Sequence, residues 1–368
     1  MPTQLSSEDL NKRLLSLDFM RGFIMVLLTI ESTGLFNVLY LNSKGGFLES
    51  FFIQFKHHPW NGLRFWDLIQ PGFMFIAGTA MVFSVNKLKE KGISQIAITK
   101  KIFKRSGWLF FWGVLLYAVH ETGLSFELWD VLTQLSITLL MAYFILQWPA
   151  KYQIVFSVVL LIITDLLFRF SSIPSFDQGF TNHHNFGNYI DTLLMHKTSR
   201  GGWVAINCIP TAVHTIAGAL LGKLLLSNAN NKIITILIWA ISVLLVGYAL
   251  DLLQINPIIK RIATGSFTLV SLGWCLLAFA ACYYFVDMKR HKSVFFFDVI
   301  GLNSIFIYLF FELLGGWLNH YISLLVGGLL SYTTLVLPAI SIISCLVVFA
   351  IEWGICYFLY RKKIFFRL

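Results

Sequence analysis

Residues 233–252 read IITILIWAISVLLVGYALDL, and only Asp251 in this stretch carries a charge. One α-helix needs about 20 mostly apolar residues to cross the hydrocarbon core of a bilayer. A shorter apolar stretch, 318–330, is predicted to be an interfacial or re-entrant helix. The sequence therefore predicts an all-α, polytopic membrane helical bundle of about ten transmembrane helices. The predicted spans lie near residues 19–40, 67–86, 102–119, 130–148, 153–169, 204–226, 233–252, 266–286, 296–313 and 331–360.

The composition of the whole chain agrees with a membrane protein. Of 368 residues, 57% are hydrophobic and 12% are charged, whereas a soluble domain carries about 25% charge. The apolar content excludes intrinsic disorder, and five cysteines are too few for a disulfide scaffold. All five lie in apolar stretches, which indicates small buried hydrophobic residues rather than disulfides or metal ligands.

The basic residues predict the orientation of the chain in the membrane. The formal net charge is +10, and 20 of the 28 Lys and Arg residues fall in segments on the same side as both termini. Because basic residues collect in cytoplasmic segments, we expect both termini to be cytoplasmic. This explains the basic excess without a nucleic-acid partner. We predict a cytoplasmic N-terminal segment, 1–15, and a single transmembrane domain, 16–368.

The chemically richest stretch is KHHPWNGLRFWDLIQP, residues 56–71, where a predicted outer loop enters the second span. Histidine titrates near neutrality, so His57 can take a proton from an attacking group or carry an acyl group. The Trp60 indole, the Asn61 amide or the Gly62 backbone can donate to a developing oxyanion. The alternative is an interfacial loop in which Trp and Lys side chains anchor at the lipid headgroups.

Charged residues elsewhere suggest further contributions to a site. Glu31 lies in the first predicted span, where a carboxylate costs roughly 2.5–3.5 kcal/mol on insertion scales. We expect it to orient His57 or bind a substrate amine, unless it reaches water at the outer end. Basic clusters at 100–105, 289–292 and 361–363 can hold the phosphates of a cytosolic cofactor. Their alternative role is orientation and contact with anionic lipid. No metal site is predicted.

Several short segments, in a shared order, resemble one family. The chain resembles the heparan-alpha-glucosaminide N-acetyltransferase family of multi-pass transmembrane acetyltransferases, as a bacterial-type member without the luminal N-terminal extension. The segments are RLLSLDFMRG (13–22), KHHPWNGLRFWDLIQPGFMFIAGTAM (56–81), GNYIDTLLM (187–195), AGALLGKLL (217–225), GLNSIFIY (301–308) and YRKKIF (360–365).

This resemblance implies an activity and a set of site residues. Acetyl-CoA would be the co-substrate on the cytosolic side, the acceptor would be the amino group of a glucosamine-type sugar on the outer face, and no metal is needed. His57 matches the family's catalytic histidine, as base or acyl carrier. Ser32 stands where animal members have an active-site Asn. The expected catalytic residues are His57, Asn61, Asp67 and Glu31, and the expected substrate-binding residues are Trp60, Ser32 and His58. The expected cofactor-binding residues are Lys104, Arg105, Lys289, Arg290, Asn303 and Ser304.

The expected partners follow from the same reasoning. They are membrane lipid and an amino-sugar or oligosaccharide acceptor, with no nucleic acid, and a homodimer is left open. We expect an integral multi-pass protein of a bacterial cytoplasmic (inner) membrane. Two other functions stay open. One is a secondary transporter for a sugar or anion, although no inverted repeat is visible, and the other is a polysaccharide O-acyltransferase.

Overall fold

The computed structural model describes residues 14–120, 123–289 and 294–366, which are mostly helical. A short antiparallel pair, β1 (Val119–His120) and β2 (Gly123–Leu124), lies between the helices Gln95–Leu116 and Val131–Phe144. Short 3-10 segments cover Ile53–Phe55, Phe65–Leu68 and Ala205–Asn207, and π-helical segments cover Tyr283–Met288 and Phe311–Gly315. The α-helices of the described residues are α1 (Leu15–Ser32), α2 (Leu35–Ser43), α3 (Glu49–Phe52), α4 (Ile69–Glu90), α5 (Gln95–Leu116), α6 (Val131–Phe144), α7 (Ala150–Phe170), α8 (Phe186–Met195), α9 (Cys208–Leu226), α10 (Lys232–Leu252), α11 (Gly265–Cys282), α12 (Phe295–Gly301), α13 (Ser304–Phe310), α14 (Gly316–Leu330) and α15 (Leu337–Arg361).

Several of these helices are long and apolar enough to cross a membrane, so the chain has the character of a multi-pass membrane protein. In the described part of the chain there are seven such helices, and an eighth if the bent pair α1 and α2 forms one span. The seven are Phe65–Glu90, Ala150–Phe170, Ala205–Leu226, Lys232–Leu252, Gly265–Met288, Ser304–Leu330 and Leu337–Arg361. These helices confirm the prediction of an all-α polytopic bundle, whereas the count of about ten spans stays a prediction.

The helices differ from the predicted spans at the first span and at residues 318–330. The first span, predicted at 19–40, bends by 68° between α1 and α2, where Gly34 takes a left-handed φ of 81°. The prediction of a separate helix at 318–330 is wrong, because Ser304–Leu330 is one continuous helical span. Gly315 and Gly316 keep helical backbone angles, and they lie where the π-helical segment Phe311–Gly315 joins α14.

The predicted spans at 102–119 and 130–148 correspond to weaker candidates. Helix α5 is long enough to cross a membrane. However, it carries the basic cluster 100–105 and is too polar to count as a span. Helix α6 is apolar but has only 14 residues. These two helices are therefore not among the seven.

Contacts divide the chain into two units, residues 57–280 and, within the described ranges, residues 14–56 with 281–366. In the 57–280 unit, α4 and α9 approach so closely that their backbones almost touch. A Cβ atom on Gly78 would collide with the Thr215 carbonyl, and one on Gly218 with the Phe75 carbonyl. The Thr79 hydroxyl donates to the Gly218 carbonyl at 3.0 Å. Small residues allow this approach, which is typical of helix pairs in membranes.

The other unit is built around α1. Asp287 accepts hydrogen bonds from the backbone N–H groups of Leu15 and Ser16, both at 3.1 Å, and so caps the first turn of α1. Gly22 lies against the backbone of Phe297 in α12. These contacts join α1 to chain segments that are more than 270 residues away in the sequence.

Candidate active site

The loop that follows His57 is folded around one buried carboxylate. Asp67 Oδ1 lies 2.8 Å from His57 Nδ1. Asp67 Oδ2 accepts from the backbone N–H groups of His58 at 3.2 Å and of Arg64 at 2.9 Å. The Arg64 guanidinium donates to the His57 carbonyl at 2.9 Å. Because Asp67 is fully buried, these contacts fix the position of the imidazole relative to the start of α4.

A second segment, 256–264, lies against this loop. Gly62 N–H donates to the Ile258 carbonyl at 2.8 Å, and Asn61 and Ile259 form an antiparallel bridge. Gly62 has a φ of 134°, and a Cβ atom there would meet the His58 ring. Ile259 is fully buried in a small apolar cluster. This pairing carries the next residue, Lys260, to His57.

Lys260 is a buried cation beside the histidine. Its Nζ lies 3.1 Å from His57 Nδ1 and 3.7 Å from Asp67 Oδ1, and the residue is only 6% exposed. Trp203 lies under it, with Nζ 5.2 Å from the ring centroid. The Trp203 ring also meets the imidazole edge to face at 5.6 Å and the Arg261 guanidinium at 5.8 Å.

Burial and charge shift the pKa values of these groups. Burial and the positive charge of Lys260 lower the pKa of His57, and the hydrogen bond to Asp67 opposes them. Burial lowers the pKa of Lys260 to about 8, although the Asp67 charge acts in the opposite direction. Burial also lowers the pKa of Arg261. His57 is therefore held neutral at neutral pH, whereas Lys260 is largely charged there.

The arrangement is suited to proton transfer or nucleophilic attack by the imidazole. The tautomer with a proton on Nδ1 satisfies the 2.8 Å contact, because Nδ1 then donates to the Asp67 carboxylate. In this tautomer the Lys260 ammonium, 3.1 Å from Nδ1, is a charged neighbour of the ring and not a hydrogen-bond donor to it. The other ring nitrogen, Nε2, then carries a lone pair. A carboxylate that orients the histidine in this way is a recurring feature of general-base and nucleophilic catalysis. The His57 side chain is 37% exposed, so a substrate can reach it.

The other loop residues predicted to act in the site differ in their exposure and in their hydrogen bonds. The Trp60 indole N–H donates to the Phe180 carbonyl at 2.8 Å, and Gly62 N–H is bonded to Ile258. These two predicted oxyanion donors are thus occupied, whereas the Asn61 side chain is exposed. The Nδ1 of His58 is buried without a hydrogen-bond partner.

Glu31 and Ser32 belong to the unit formed by 14–56 and 281–366. Glu31 is exposed. The Ser32 hydroxyl donates to the Thr29 carbonyl at 2.8 Å, and the Ser32 carbonyl accepts from the Asn319 amide at 2.7 Å. These bonds tie the end of α1 to α14, and the roles of Glu31 and Ser32 in a site stay predictions.

The predicted cofactor-binding residues are distributed over both units. Lys104 is exposed and Arg105 half-buried on α5, and Lys289 is exposed with its ammonium 5.4 Å from the Tyr284 ring. Arg290 lies outside the described residues. The Asn303 amide donates to the Ile364 carbonyl and accepts from the Phe366 N–H, both at 3.1 Å. These two bonds attach Asn303 to the C-terminal segment. The Ser304 hydroxyl donates to the Gly301 carbonyl.

A cavity of about 310 Å³ lies at the other end of α4 and α9 from Asp67. Two lysines line it, Lys89 and Lys223, and they are close enough for their charges to repel. Lys223 also donates to the Trp148 carbonyl at 3.1 Å. Val82, Val85 and Leu146 supply apolar walls. A cationic pocket of this kind suits a ligand with phosphate and apolar parts.

A second buried carboxylate, Asp191 in α8, lies outside the His57 group. It accepts from the Trp129 indole at 3.0 Å and from the Ala205 backbone N–H at 2.8 Å. Burial raises its pKa to about 7. It joins the loop before α6 to the start of the span that contains α9, so its contacts are structural.

The five cysteines are free, and Cys208, Cys275, Cys345 and Cys356 are buried, which agrees with their prediction as small hydrophobic residues. Among residues 14–120, 123–289 and 294–366, no three His, Cys, Asp or Glu side chains are grouped to hold a metal ion.

The sequence reasoning missed Lys260, Arg261 and Trp203. A signal was present, because Lys260 and Arg261 are adjacent basic residues in a short segment predicted to lie outside, against the orientation bias. Their closeness to His57 depends on a contact across 203 residues of sequence.

The fold and the site together define a multi-pass helical membrane protein with a histidine–carboxylate pair at one end of its helices. The family model described as "Heparan-alpha-glucosaminide N-acetyltransferase, catalytic" matches residues 13–244. The chain belongs to this family. The matched region includes His57 and Asp67 but ends before Lys260.

Two curated relatives are similar to part of the chain. Both are named heparan-alpha-glucosaminide N-acetyltransferase: the protein of Mus musculus is 34% identical and that of Homo sapiens 32% identical, each over 104 residues. These residues make up 28% of this chain and 14% of each relative. The chain therefore matches only a small part of the relatives' length.

Proposed function

We propose that this chain is a transmembrane acetyltransferase. It moves an acetyl group from cytosolic acetyl-CoA to the amino group of a glucosamine-type sugar on the outer face, with His57 as base or acyl carrier. Family membership supports acetyl transfer, and the 2.8 Å contact between His57 and Asp67 carries the assignment of the site. Residues 16–368 act as one acyltransferase domain in this proposal.

The chemical step needs one proton acceptor at the acceptor amine. With Nδ1 bonded to Asp67, His57 Nε2 takes a proton from the amine as its nitrogen attacks the thioester carbonyl. The new C–N bond replaces the C–S bond, and the CoA thiolate leaves and is protonated. In the alternative sequence Nε2 attacks the thioester first, and the amine then attacks the acetyl-imidazole. The exposed Asn61 amide is the side-chain donor for the oxyanion, while Trp60 and His58 shape the substrate-binding loop.

The sidedness of the proposal rests on the length of α4. Asp67 and Lys89 are 22 residues apart, which at 1.5 Å per residue is roughly 33 Å along a helix. This is close to the thickness of the hydrocarbon core. The His57 group and the Lys89–Lys223 cavity then lie at opposite faces, and the cavity receives the CoA phosphates at entry, before the donor moves inward and brings its thioester to His57. Lys104, Arg105, Lys289 and Arg290 become secondary candidates on the same cytosolic face.

The proposed topology has ten spans and cytoplasmic termini. It counts the seven apolar helices, the bent pair α1–α2, and the two weaker candidates α5 and α6. In this topology the loops that contain His57, Asp191 and Lys260 share one face, which agrees with the hydrogen bonds that join them. A bacterial cytoplasmic membrane and a homodimer remain predictions.

The direct test is incubation of purified protein with acetyl-CoA and a panel of amino sugars, followed by product identification by mass. N-acetylated sugar and free CoA are expected. Products acetylated only on hydroxyl groups would favour the O-acyltransferase. Uptake of labelled sugar into proteoliposomes, without acetylation, would favour the transporter.

His57→Ala is expected to reduce transfer by roughly 10²–10⁴-fold, because it removes the proposed base or acyl carrier. The matched control is His184→Ala, which removes an exposed histidine from an outer loop and should leave the rate unchanged. Both variants must elute as folded protein in size-exclusion chromatography. Full acetyl transfer by folded His57→Ala protein would contradict the assignment.

A further inference from the structure

The acyl-transfer step described above leaves Lys260 without a role, although its ammonium lies only 3.1 Å from Nδ1 of the His57 ring. A lysine that is only 6% exposed is costly to bury unless its charge is balanced. The Asp67 carboxylate at 3.7 Å and the Trp203 ring at 5.2 Å supply part of that balance. The burial of Lys260 at this point therefore calls for a functional explanation.

Lys260 and Asp67 act on the same imidazole nitrogen in opposite directions. Asp67 Oδ1 accepts the Nδ1 proton and stabilises a positive ring. The Lys260 ammonium, 3.1 Å from the same nitrogen, destabilises a positive ring by like-charge repulsion. The other charged groups near His57 are Arg261, behind Trp203, and Arg64, whose guanidinium bonds the His57 carbonyl.

We propose that Lys260 is a positioning residue that keeps His57 neutral at neutral and mildly acidic pH, by opposing the imidazolium that Asp67 alone would stabilise. In the His57–Asp67 pair without Lys260, the ring would bind a proton more readily and lose its basic lone pair. With Lys260 in place, Asp67 still orients the ring, but Nε2 stays free to accept a proton. The directions of the pKa shifts at His57 and Lys260 agree with this role.

The importance of Lys260 for catalysis rests on the proposed function, but its effect on His57 does not, and this allows separate tests. Diethyl pyrocarbonate modifies the neutral form of imidazole, and His57 is 37% exposed. The pH dependence of His57 ethoxycarbonylation, followed by peptide mass analysis of the full-length protein, therefore reports when the ring becomes protonated. It requires no acetyl transfer.

In Lys260→Met, which removes the charge but keeps the length, the midpoint of His57 reactivity should rise by roughly one pH unit. Lys260→Arg keeps the charge and should restore a midpoint close to that of the wild type. Lys197→Met is the matched control, because it removes another partly buried lysine of the outer loops, one that is bonded to Glu127. The acidic limb of kcat/KM should shift with the reactivity midpoint, without a matching rise in KM for acetyl-CoA.

An unchanged midpoint in folded Lys260→Met protein would overturn the proposal. If this variant does not fold, Lys260→Gln gives the same test, because it keeps an N–H donor but no charge. Failure of both neutral variants to fold would assign Lys260 to stability, and the proposal would also be lost. If the wild type transfers no acetyl group but the midpoint moves as expected, the proposed function fails and the coupling of Lys260 to His57 stands.

Discussion

The two ends of α4 and α9 are built differently. At the Asp67 end, one buried carboxylate receives a histidine, two backbone N–H groups and a nearby lysine, so the side chains are fixed before any substrate binds. At the Lys89 end, a cavity of about 310 Å³ lies between apolar walls and two lysines that repel each other. The first end resembles a preorganised reaction centre, and the second an open anion-binding pocket.

In the proposed function, this difference separates two tasks that a transmembrane transfer reaction requires. Chemistry needs fixed geometry, because a misplaced base loses rate. Binding a flexible, phosphate-bearing donor needs space and positive charge. Substitutions at the Asp67 end should therefore act mainly on kcat, and substitutions at the Lys89 end on KM for acetyl-CoA.

The largest effect is expected from Asp67→Asn. The amide cannot accept the Nδ1 proton while still receiving both backbone N–H bonds, so the ring loses its orientation and its preferred tautomer. We expect kcat to fall by roughly 10²–10⁴-fold, measured as acetyl transfer at saturating acetyl-CoA. Asp177→Asn removes an exposed loop carboxylate and should have no effect. If folded Asp67→Asn protein kept the wild-type kcat, the Asp67 end could no longer be assigned to chemistry and the Lys89 end to donor binding.

An intermediate effect is expected at the cavity. Lys223→Ala or Lys89→Ala removes one charged contact to a phosphate, which is worth about 1.5–3 kcal/mol when buried and less at a partly open site. We expect KM for acetyl-CoA to rise about tenfold with little change in kcat. Lys104→Ala is the matched comparison, because Lys104 is exposed and does not line the cavity. If KM for acetyl-CoA rises more in Lys104→Ala than in the cavity variants, acetyl-CoA binds at the cluster 100–105 and not at the cavity.

The sequence predicted the parts of this molecule that depend on local patterns. Apolar stretches of spanning length located the helices, and the segment 56–71, which contains both His57 and Asp67, was singled out as the chemically richest stretch. The bend after Ser32 was not predictable from hydropathy, because it depends on the left-handed backbone of Gly34. The continuous helix through Gly315 and Gly316 was missed for the opposite reason, since these glycines keep helical angles.

The position of Lys260 could not be derived from the sequence in the same way. Its contact with His57 depends on the pairing of Gly62 with Ile258 and on the burial of Ile259, which are tertiary contacts. It also falls outside the region that the family model matches. Asn303 depends on a tertiary contact of the same kind, because its amide bonds the C-terminal segment at Ile364 and Phe366, and its role in cofactor binding stays a prediction.

The smallest effect concerns the two buried carboxylates near the His57 end. Asp67 has a cation beside it, whereas Asp191 receives only two neutral N–H donors among its described hydrogen bonds. Burial raises the Asp191 pKa from 3.8 to about 7, so the folded protein holds a proton that the unfolded chain releases above pH 4. Stability should therefore fall as pH rises towards 7, by at most about 1.4 kcal/mol per pH unit. Melting temperatures at pH 5, 6 and 7 should show this slope in the wild type and in Asp177→Asn, and a flatter one in Asp191→Asn. An equal slope in Asp191→Asn would mean that Asp191 is ionised in the folded protein, as Asp67 is beside Lys260.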